Sequence, residues 1–333
     1  MGILLMNDTD EDSSHFGCMR VMRSIREALA QRGYGSLPSL KVGTDWRSNA
    51  HEKAKIDAAK VLLINGEGTL HHEKRKGLWL LEAGERVRAN GGKVALINAL
   101  WQENPEHWAN LAARFDLIYS RDSQSAAELS NQSGIDVAWI GDLSMFQWPE
   151  TPDQIRNGVT VSCSVNRDVV KRLANFATST GSAYVPVTPH IKHVSVHARG
   201  LKRMLRKAYV RNAEKRFLTK HPYTRLVQND ADYIAELCQR ELLVTGRFHA
   251  VCMAILAKTP FVAIRSNSWK IQTLLKDVGL NPDRIQPVSA LNAELLDKDW
   301  SFAKSEHEAI DASLRRWRAD GEVMFDRIAG LTS

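Results

Sequence analysis

The chain has 333 residues, of which 44% are hydrophobic and 25% charged, so it is long enough to bury a sizeable core and to form two domains. Its formal net charge of +7 favours an anionic partner: a phosphorylated ligand, nucleic acid or an acidic membrane surface. No apolar run reaches the roughly 18 residues that a membrane-spanning helix needs. We therefore expect a cytoplasmic protein that is at most peripheral to a membrane.

The four cysteines are far apart in the sequence and form no Cys-x-x-Cys pair: Cys18, Cys163, Cys238 and Cys252. This spacing predicts buried free thiols in a reducing compartment. The apolar start of the chain is too short for a signal peptide and lacks a basic flank, so we interpret it as the first strand.

Apolar strands and helical periodicities alternate through the first half of the chain. The predicted strands are 2–6, 60–65, 93–99, 116–120 and 137–140. The predicted helices between them are 18–31, 77–89, 105–114 and one that begins near Ser123. This alternation predicts a parallel sheet covered by helices on both faces.

The polar segment from Asn7 to Gly17 is too long for a simple connection, and we interpret it as a binding loop. Its acidic run, Asp10–Asp12, is better explained by solvated loop charge than by a metal site. His71 and His72 do not share a helical face and no third ligand is evident, so no metal site is predicted there.

The buried strand 60–65 runs directly into Gly66, Glu67, Gly68 and Thr69. Two glycines after a parallel strand let a ligand approach the backbone closely, and Glu67 places a carboxylate at the sheet edge. A structural glycine turn explains the same residues equally well.

Arg121 follows the strand 116–120 and is a second candidate ligand-binding residue at a strand end. Asp122 or Ser123 is expected to cap the helix that follows.

A proline-containing segment, 148–158, marks the predicted domain boundary. Beyond it we predict strands 159–164, 183–188, 241–245 and 260–264, and helices 169–178, 233–239 and 271–278. The expected organisation is an N-terminal domain of residues 1–150, a C-terminal domain of residues 157–300 and a helical segment, 301–333. We expect the final helix, 303–328, to pack back across the domain junction.

Arg247 and His249 lie where a buried strand passes through Gly246 into the next helix. The carboxyl edge of a parallel sheet is where ligands bind, because helix N-termini present free amides and a positive dipole end there. Arginine binds phosphate or carboxylate as a planar fork, and histidine exchanges protons near neutral pH. A lone Arg-x-His is more often structural, but this position favours a ligand site.

Residues 199–220 are predicted to form a basic amphipathic helix, with Glu214 as its single acidic residue. Such one-sided charge favours contact with an anionic membrane surface or a phosphorylated glycolipid over a merely solvated face. Nucleic acid is not expected, because no aromatic platform accompanies the charge.

Together these motifs resemble the polysaccharide pyruvyl transferase family. The resemblance rests on the 7–17 loop, the Gly66–Thr69 turn, Ser120–Ser125, the strand end Gly141-Asp142, and above all Arg247-Phe248-His249-Ala250 followed by Pro260 and Lys270. It implies an α/β fold of two Rossmann-like parallel-sheet domains facing a cleft, of the kind called GT-B. It also implies transfer of the enolpyruvyl unit of phosphoenolpyruvate to a sugar of a cell-surface polysaccharide or its lipid-linked precursor, which forms a pyruvate ketal.

By this resemblance Arg247 binds the donor anion and His249 donates a proton. The chemistry of ketal formation, and not the resemblance, makes Glu67 the candidate base for the acceptor hydroxyl. The candidate substrate-binding residues are Asn7, Gly17, Gly66, Gly68, Thr69, Arg121, Ser164, Phe248, Ser268 and Lys270. The expected partners are phosphoenolpyruvate and a glycan acceptor, and no cofactor is expected. Two alternatives remain: a GT-B-like glycosyltransferase that uses a nucleotide sugar, and a noncatalytic scaffold in glycan assembly.

Overall fold

A computed structural model describes residues 2–10, 15–147, 155–191, 200–265 and 268–332. The chain divides into two compact units. The first comprises Met1–Asp10, Val21–Gln147 and Leu314–Ser333, and the second comprises Glu11–Arg20 and Trp148–Ser313. The change of unit at Gln147 lies beside the proline-containing segment.

The first unit is built on a six-stranded sheet in which every pair of neighbouring strands is parallel. In chain order its strands are β1 (Ile3–Asp8), β2 (Ser39–Lys41), β3 (Val61–Asn65), β4 (Lys93–Ala99), β5 (Leu117–Ser120) and β6 (Ala138–Trp139). The order across the sheet is β2-β1-β3-β4-β5-β6. Strands β1 and β3 are buried along their whole length, as strands covered on both faces by helices must be.

The helices that alternate with these strands are α1 (Phe16–Ala30), α2 (Ala50–Asp57), α3 (Arg75–Ala89), α4 (Glu106–Ala112) and α5 (Ser123–Ser133). Helix α5 begins where predicted, because the Asp122 carboxylate accepts a 2.7 Å hydrogen bond from the backbone N of Ser125 and caps it.

The second unit contains a five-stranded parallel sheet, in the order β11-β10-β9-β7-β8. Its strands are β7 (Val159–Ser164), β8 (Ala183–Tyr184), β9 (Leu242–Gly246), β10 (Phe261–Ile264) and β11 (Ile285–Gln286). The remaining helices are α6 (Arg167–Thr180), α7 (Gly200–Lys220), α8 (Asp230–Cys238), α9 (Phe248–Leu256), α10 (Lys270–Val278) and α11 (Lys304–Gly330).

The prediction of two parallel-sheet α/β units is confirmed, with differences in detail. The predicted strand 183–188 is wrong beyond Tyr184, where the chain leaves the sheet. The predicted 7–17 loop is too long, because β1 continues to Asp8 and α1 already begins at Phe16. The short elements β2, α2 and β11 were not predicted.

The C-terminal helix α11 begins in the second unit and ends in the first, as predicted. In the first unit Trp317 packs on the bare backbone of Gly141, and the Phe325 and Phe146 rings lie 5.3 Å apart. Arg32 also donates a 2.8 Å hydrogen bond to the Glu322 carboxylate. The last turns of α11 are therefore part of the first unit's core.

Helix α7 is exposed over much of its described length. Met204 and Leu205 are 61% and 60% exposed, although both lie on the predicted apolar stripe. Further along the helix, the Phe217 ring lies 5.6 Å from the Tyr184 ring, and the His190 ring lies 3.5 Å from the Glu214 carboxylate. The second half of α7 thus packs on its own unit, while earlier turns present apolar and cationic side chains to solvent.

All four cysteines have free thiols. Cys163, Cys238 and Cys252 are buried, as predicted, whereas Cys18 is only half-buried and corrects that prediction. Within the described residues, no helix is long and apolar enough to cross a membrane.

Candidate functional site

Arg247 connects β9 to α9, and His249 is the second residue of α9. Arg247 has an extended backbone, with φ −109° and ψ 129°, and immediately precedes α9. The Thr245 hydroxyl accepts a 3.1 Å hydrogen bond from the backbone N of Arg247 and donates a 3.3 Å bond to the Cys163 carbonyl. These bonds fix the turn against β7, so Arg247 is held at the start of the helix.

Gly246 allows a close approach between β9 and β7. A Cβ atom at this position would lie 2.7 Å from the Ser164 Cβ, its paired residue across the sheet. A larger residue would push the strands apart exactly where both end. The packing therefore brings Ser164 to the same sheet edge as Arg247.

The Arg247 guanidinium has no ion-pair partner among the described residues. Its Nε is buried and has no hydrogen-bond partner in this part of the chain. Arg247 as a whole is half-buried and arginine remains charged at neutral pH, so a counter-charge would stabilise this guanidinium. The first-turn amides of α9 add positive potential, so this strand end is suited to an anion.

The His249 side chain is 8% exposed and packs against the backbone of Gly17. A side chain on Gly17 would overlap the Cβ and Cγ of His249. The His15 ring centroid lies 5.1 Å from that of His249, and the Phe248 ring lies 5.3 Å from it. Gly17, predicted to bind substrate, thus contacts the predicted proton donor.

Three contacts attach the start of α1 to the second unit. The backbone N of Phe16 donates a 3.0 Å hydrogen bond to the Val187 carbonyl, and its ring lies 5.9 Å from the Tyr233 ring. Arg20 and Asp230 form a buried ion pair at 2.9 Å. Sequence reasoning missed this placement because no local pattern marks contacts so distant along the chain.

Two further candidates follow β10, which pairs in parallel with β9. Lys270 is the first residue of α10, and Ser268 lines a small surface pocket with Arg265 and Gln272. Both residues thus lie beyond the same edge of the second unit's sheet as Arg247.

In the first unit, Asn7 organises the carboxyl ends of β1 and β3. Its backbone is left-handed, with φ 65°, and its side-chain amide donates to the Asn65 carbonyl at 2.7 Å and to the Thr69 hydroxyl at 3.1 Å. The Glu67 carboxylate is 5% exposed and accepts a 3.1 Å hydrogen bond from the Thr9 hydroxyl. The structure therefore brings Asn7, Glu67 and Thr69 together.

The two glycines beside Glu67 have structural reasons to be glycine. A Cβ on Gly66 would lie 2.6 Å from the Ala99 Cα, and Gly68 has a φ of +66°. The turn is thus explained by packing and backbone conformation, and substrate binding by Gly66 and Gly68 stays a prediction.

Arg121, another predicted ligand, is 4% exposed and lies in the first unit. Its Nη1 donates to the Asp142 carboxylate at 3.3 Å, and its Nε lies 4.0 Å from the Asp122 carboxylate. Unlike Arg247, this guanidinium already has buried counter-charges. Its predicted role in substrate binding stays a prediction.

The carboxylates at the end of β1 and just beyond it are partly neutralised by Arg26, whose guanidinium lies 2.9 Å from the Asp8 carboxylate and 2.6 Å from the Asp10 carboxylate. Burial opposes ionisation of Asp8, but hydrogen bonds from Lys41 and Ser39 hold the pKa of its carboxyl below the ordinary value. Asp10 is therefore ion-paired rather than simply solvated. The rest of the predicted acidic run, through Asp12, lies outside the described residues.

The predicted site residues therefore belong to two groups, one on each unit. The first unit holds Asn7, Gly66, Glu67, Gly68, Thr69 and Arg121, and the second holds Gly17, Ser164, Arg247, Phe248, His249, Ser268 and Lys270. Sequence reasoning missed His15 and Cys18, which gather around His249.

Several solved structures resemble the chain across nearly its whole length. S. aureus MnaA in complex with UDP has a TM-score of 0.57 and 11% identity, with 95% of this chain and 94% of that chain covered. Anabaena Alr3699/HepE in complex with UDP and glucose has a TM-score of 0.55 and 11% identity, with 99% and 98% covered. The UDP-GlcNAc 2-epimerase of Neisseria meningitidis bound to UDP-GlcNAc has a TM-score of 0.52 and 10% identity, with 95% and 99% covered.

At these identities the likeness shows the fold, which is GT-B-like. No curated protein matches the chain by sequence. The family model for polysaccharide pyruvyl transferase matches residues 7–268, which is most of the chain and includes the Arg247 and His249 turn. The chain therefore belongs to the polysaccharide pyruvyl transferase family and is a transferase.

Proposed function

We propose that this protein transfers the enolpyruvyl unit of phosphoenolpyruvate to a sugar of a cell-surface polysaccharide or its lipid-linked precursor. The product is a pyruvate ketal and inorganic phosphate is released. Family membership supports transfer to a glycan. The observation that carries the donor assignment is the Arg247 guanidinium, which lacks an ion-pair partner in the described chain and lies two residues before His249.

Phosphoenolpyruvate carries a phosphate and a carboxylate, so its site needs several positive groups. Arg247 supplies a fork for one of these anions, and the first-turn amides of α9 supply donors beside it. Lys270 adds a cation beyond the neighbouring strand, and the Ser164 hydroxyl adds a short polar group. Arg121 is a further proposed substrate-binding residue.

His249 is proposed to protonate the methylene carbon of the enol, which becomes the methyl group of the product. The carbon that bears the phosphate then gains oxocarbenium character and is attacked by one sugar hydroxyl. Loss of phosphate and attack by a second hydroxyl complete the ketal. The proton of the first hydroxyl passes by way of a base to the departing phosphate, and the proton of the second hydroxyl returns to the histidine. A histidine suits this step because it gains and loses a proton near neutral pH.

Glu67 is proposed to accept the proton of the attacking hydroxyl. Its carboxylate already receives a hydrogen bond from Thr9, which fixes the orientation of one oxygen. The scheme uses no organic cofactor, because phosphoenolpyruvate itself provides the transferred carbons.

The test is calorimetric titration of phosphoenolpyruvate into the wild type, Arg247→Ala and His249→Gln. Arg315, an exposed residue of α11, provides a matched control as Arg315→Ala. Wild type and control should bind saturably, and Arg247→Ala should lose at least roughly 30-fold in affinity, equivalent to about 2 kcal/mol from a charge-assisted pair. His249→Gln should retain binding but lose ketal formation.

A nucleotide-sugar transferase is the second candidate, because the similar structures named above contain UDP or UDP-GlcNAc. Saturable binding of a uridine diphosphate sugar, with none of phosphoenolpyruvate, would replace the first proposal with this one. Capture of a glycan-assembly partner without turnover of either donor would instead indicate a scaffold.

We also propose that α7 binds an anionic membrane surface. Its exposed cations in the described side chains are Arg206, Lys207, Arg211, Lys215, Arg216 and Lys220. Met204, Leu205 and Tyr209 add apolar groups that are at least half exposed. Basic and apolar side chains on one exposed helix are the combination that interfacial helices use.

A further inference from the structure

We propose that His15, Cys18 and His249 form a binding site for a borderline-soft divalent cation of the zinc class. One ligand atom from each residue lies within 4.8 Å of the others. The three residues come from the N-terminal part of α1 with its preceding residue, and from the start of α9. All belong to the second unit.

The cluster is held by contacts on both of its sides. The Phe16 and Arg20 contacts attach the start of α1 to the second unit, and Gly17 lies against the His249 ring. Cys18 lies in the first turn of α1, so the contacts of Phe16 and Arg20 also fix the position of its backbone. These packing contacts therefore fix the backbone positions of the three proposed ligands relative to one another.

The distances between the three ligand atoms would suit a metal ion if the atoms moved slightly closer together. A tetrahedral zinc ion holds nitrogen and sulfur ligands roughly 3.4–3.6 Å apart, so the three atoms need to approach by about 1 Å. Rotation about the side-chain bonds of the half-buried His15 and Cys18 provides this movement. The His15 Nδ1 accepts a long hydrogen bond, 3.2 Å, from the backbone N of Gly17, and a metal would take over that lone pair.

The ligand types define the class of metal. Two imidazoles and a thiolate favour zinc and similar ions over magnesium or calcium, which prefer oxygen ligands. Three protein ligands leave a fourth position for water or an anion. Partial exposure of His15 and Cys18 allows an ion to enter.

The consequence for catalysis rests on the proposed function. A metal bound to His249 occupies the lone pair that a proton would otherwise take, so metal binding and proton donation exclude each other. The site would therefore make pyruvyl transfer sensitive to zinc.

Binding is tested by titrating Co²⁺ and then Zn²⁺ into the purified full-length wild type, Cys18→Ala, His15→Gln and a buried-cysteine control, Cys238→Ala. Wild type and control should show one bound ion and a thiolate-to-cobalt absorption band that zinc abolishes. Cys18→Ala should lose the band, and both ligand variants should bind zinc at least about 10- to 100-fold more weakly, since even outer-shell partners contribute that much. Equal affinity of wild type and Cys18→Ala would overturn the proposal.

A second measurement compares ketal formation with and without zinc in wild type and Cys18→Ala. The rate of ketal formation with zinc, divided by the rate without zinc, should fall strongly in wild type and much less in Cys18→Ala. A bound metal that leaves the wild-type ratio at one would refute the competition with proton donation. If no protein turns over phosphoenolpyruvate, the proposed function fails, and the cobalt titration still decides the metal site.

Discussion

Arg247 and Arg121 show what a residue pattern can and cannot predict. Each follows an apolar strand and precedes a helix, so the sequence assigns both to a sheet edge. The structure separates them, because Arg121 lies beside Asp142 and Asp122 whereas no such partner accompanies Arg247 in the described chain. Whether a cation is already neutralised depends on distant residues, which local patterns do not reveal.

The environment of His249 was unpredictable for the same reason. The position of His249 near a strand-to-helix turn was predictable from the apolar strand, the glycine and the helical pattern around it. Its neighbours His15 and Cys18 were not, because they reach it only through attachment of the start of α1 to the second unit.

At this scale we predict that Gly17→Ala displaces the His249 ring. The new methyl group would overlap the Cβ and Cγ of His249, so either the ring or the start of α1 must move. We expect ketal formation to fall by at least tenfold while phosphoenolpyruvate affinity changes less, because a misplaced catalytic group commonly costs about 10²-fold. Steady-state kinetics and calorimetry measure the two quantities.

Gly35→Ala is the matched control, since a Cβ there meets no atom within 4 Å. It should leave both quantities unchanged. Wild-type turnover by Gly17→Ala would show that the His249 position is not critical.

At the scale of elements, long buried strands were predictable and short ones were not. Strands such as β3 and β4 are continuous apolar runs, and the sequence places them within a residue or so of their observed bounds. Strands β2 and β11 have three and two residues, too few to show a pattern. The segment after β8 misled prediction because Val185 and Val187 are fully buried outside any strand.

Arg284 links the start of α11 to β10, because its guanidinium contacts both Glu306 and the Phe261 carbonyl. The Arg284 Nε and Nη2 donate to the two oxygens of Glu306 at 3.0 and 2.7 Å. Burial alone would raise the pKa of Glu306, but hydrogen bonds from Arg284 and from two backbone amides lower it to about 2. The fold therefore stabilises the ionised Glu306 carboxylate relative to its protonated form.

We predict an acid-sensitive contribution to stability from this pair. A lowered folded-state pKa stabilises the protein above the unfolded value of 4.5, and this contribution is lost as the pH falls towards about 2. Its size is about 3 kcal/mol at pH 7, falling by more than half by about pH 3. Urea unfolding gives the free energy of unfolding of wild type and of Glu306→Gln. The difference between the two proteins should shrink from pH 7 to about pH 3, and a difference independent of pH would contradict the assignment.

For α7 we predict salt-sensitive binding to vesicles that contain phosphatidylserine, and none to neutral vesicles. The test variant replaces four exposed cations of the helix with glutamine: Arg206, Lys207, Arg211 and Lys215. At about 1 kcal/mol per cation near the surface, vesicle affinity should fall by well over tenfold in co-sedimentation.

The control replaces four exposed cations elsewhere: Lys53, Lys60, Arg88 and Lys298. It keeps the same net charge as the test variant. Equal loss of binding in both variants would show that total charge, and not α7, attracts the protein to the vesicles.

At the scale of the whole molecule, the first unit depends on the last residues of the chain. Phe325 is fully buried and packs on Phe146, while Arg32 binds Glu322 on the same stretch of α11. From the sequence we expected a final helix, 303–328, that contains Trp317 and Phe325 and packs back across the domain junction. The sequence did not show which residues would provide its partner surface.

We predict that Phe325→Ala destabilises the first unit by about 3–5 kcal/mol through loss of buried area and formation of a cavity. Val323→Ala, at a position that is 55% exposed, should change stability by less than about 0.5 kcal/mol. Thermal unfolding followed by calorimetry measures both, and similar effects of the two substitutions would argue against this packing.

The composition of α7 also determines how charge is distributed over the molecule. The helix has eight lysines and arginines and one glutamate, and its net charge of +7 equals that of the entire chain. The other 312 residues carry 37 cationic and 37 acidic side chains and are neutral as a set. The net charge of the protein is thus the charge of one helix. Because an electrostatic field exerts its net force where charge is in excess, the attraction between this protein and an anionic surface is concentrated on α7 before any contact is made.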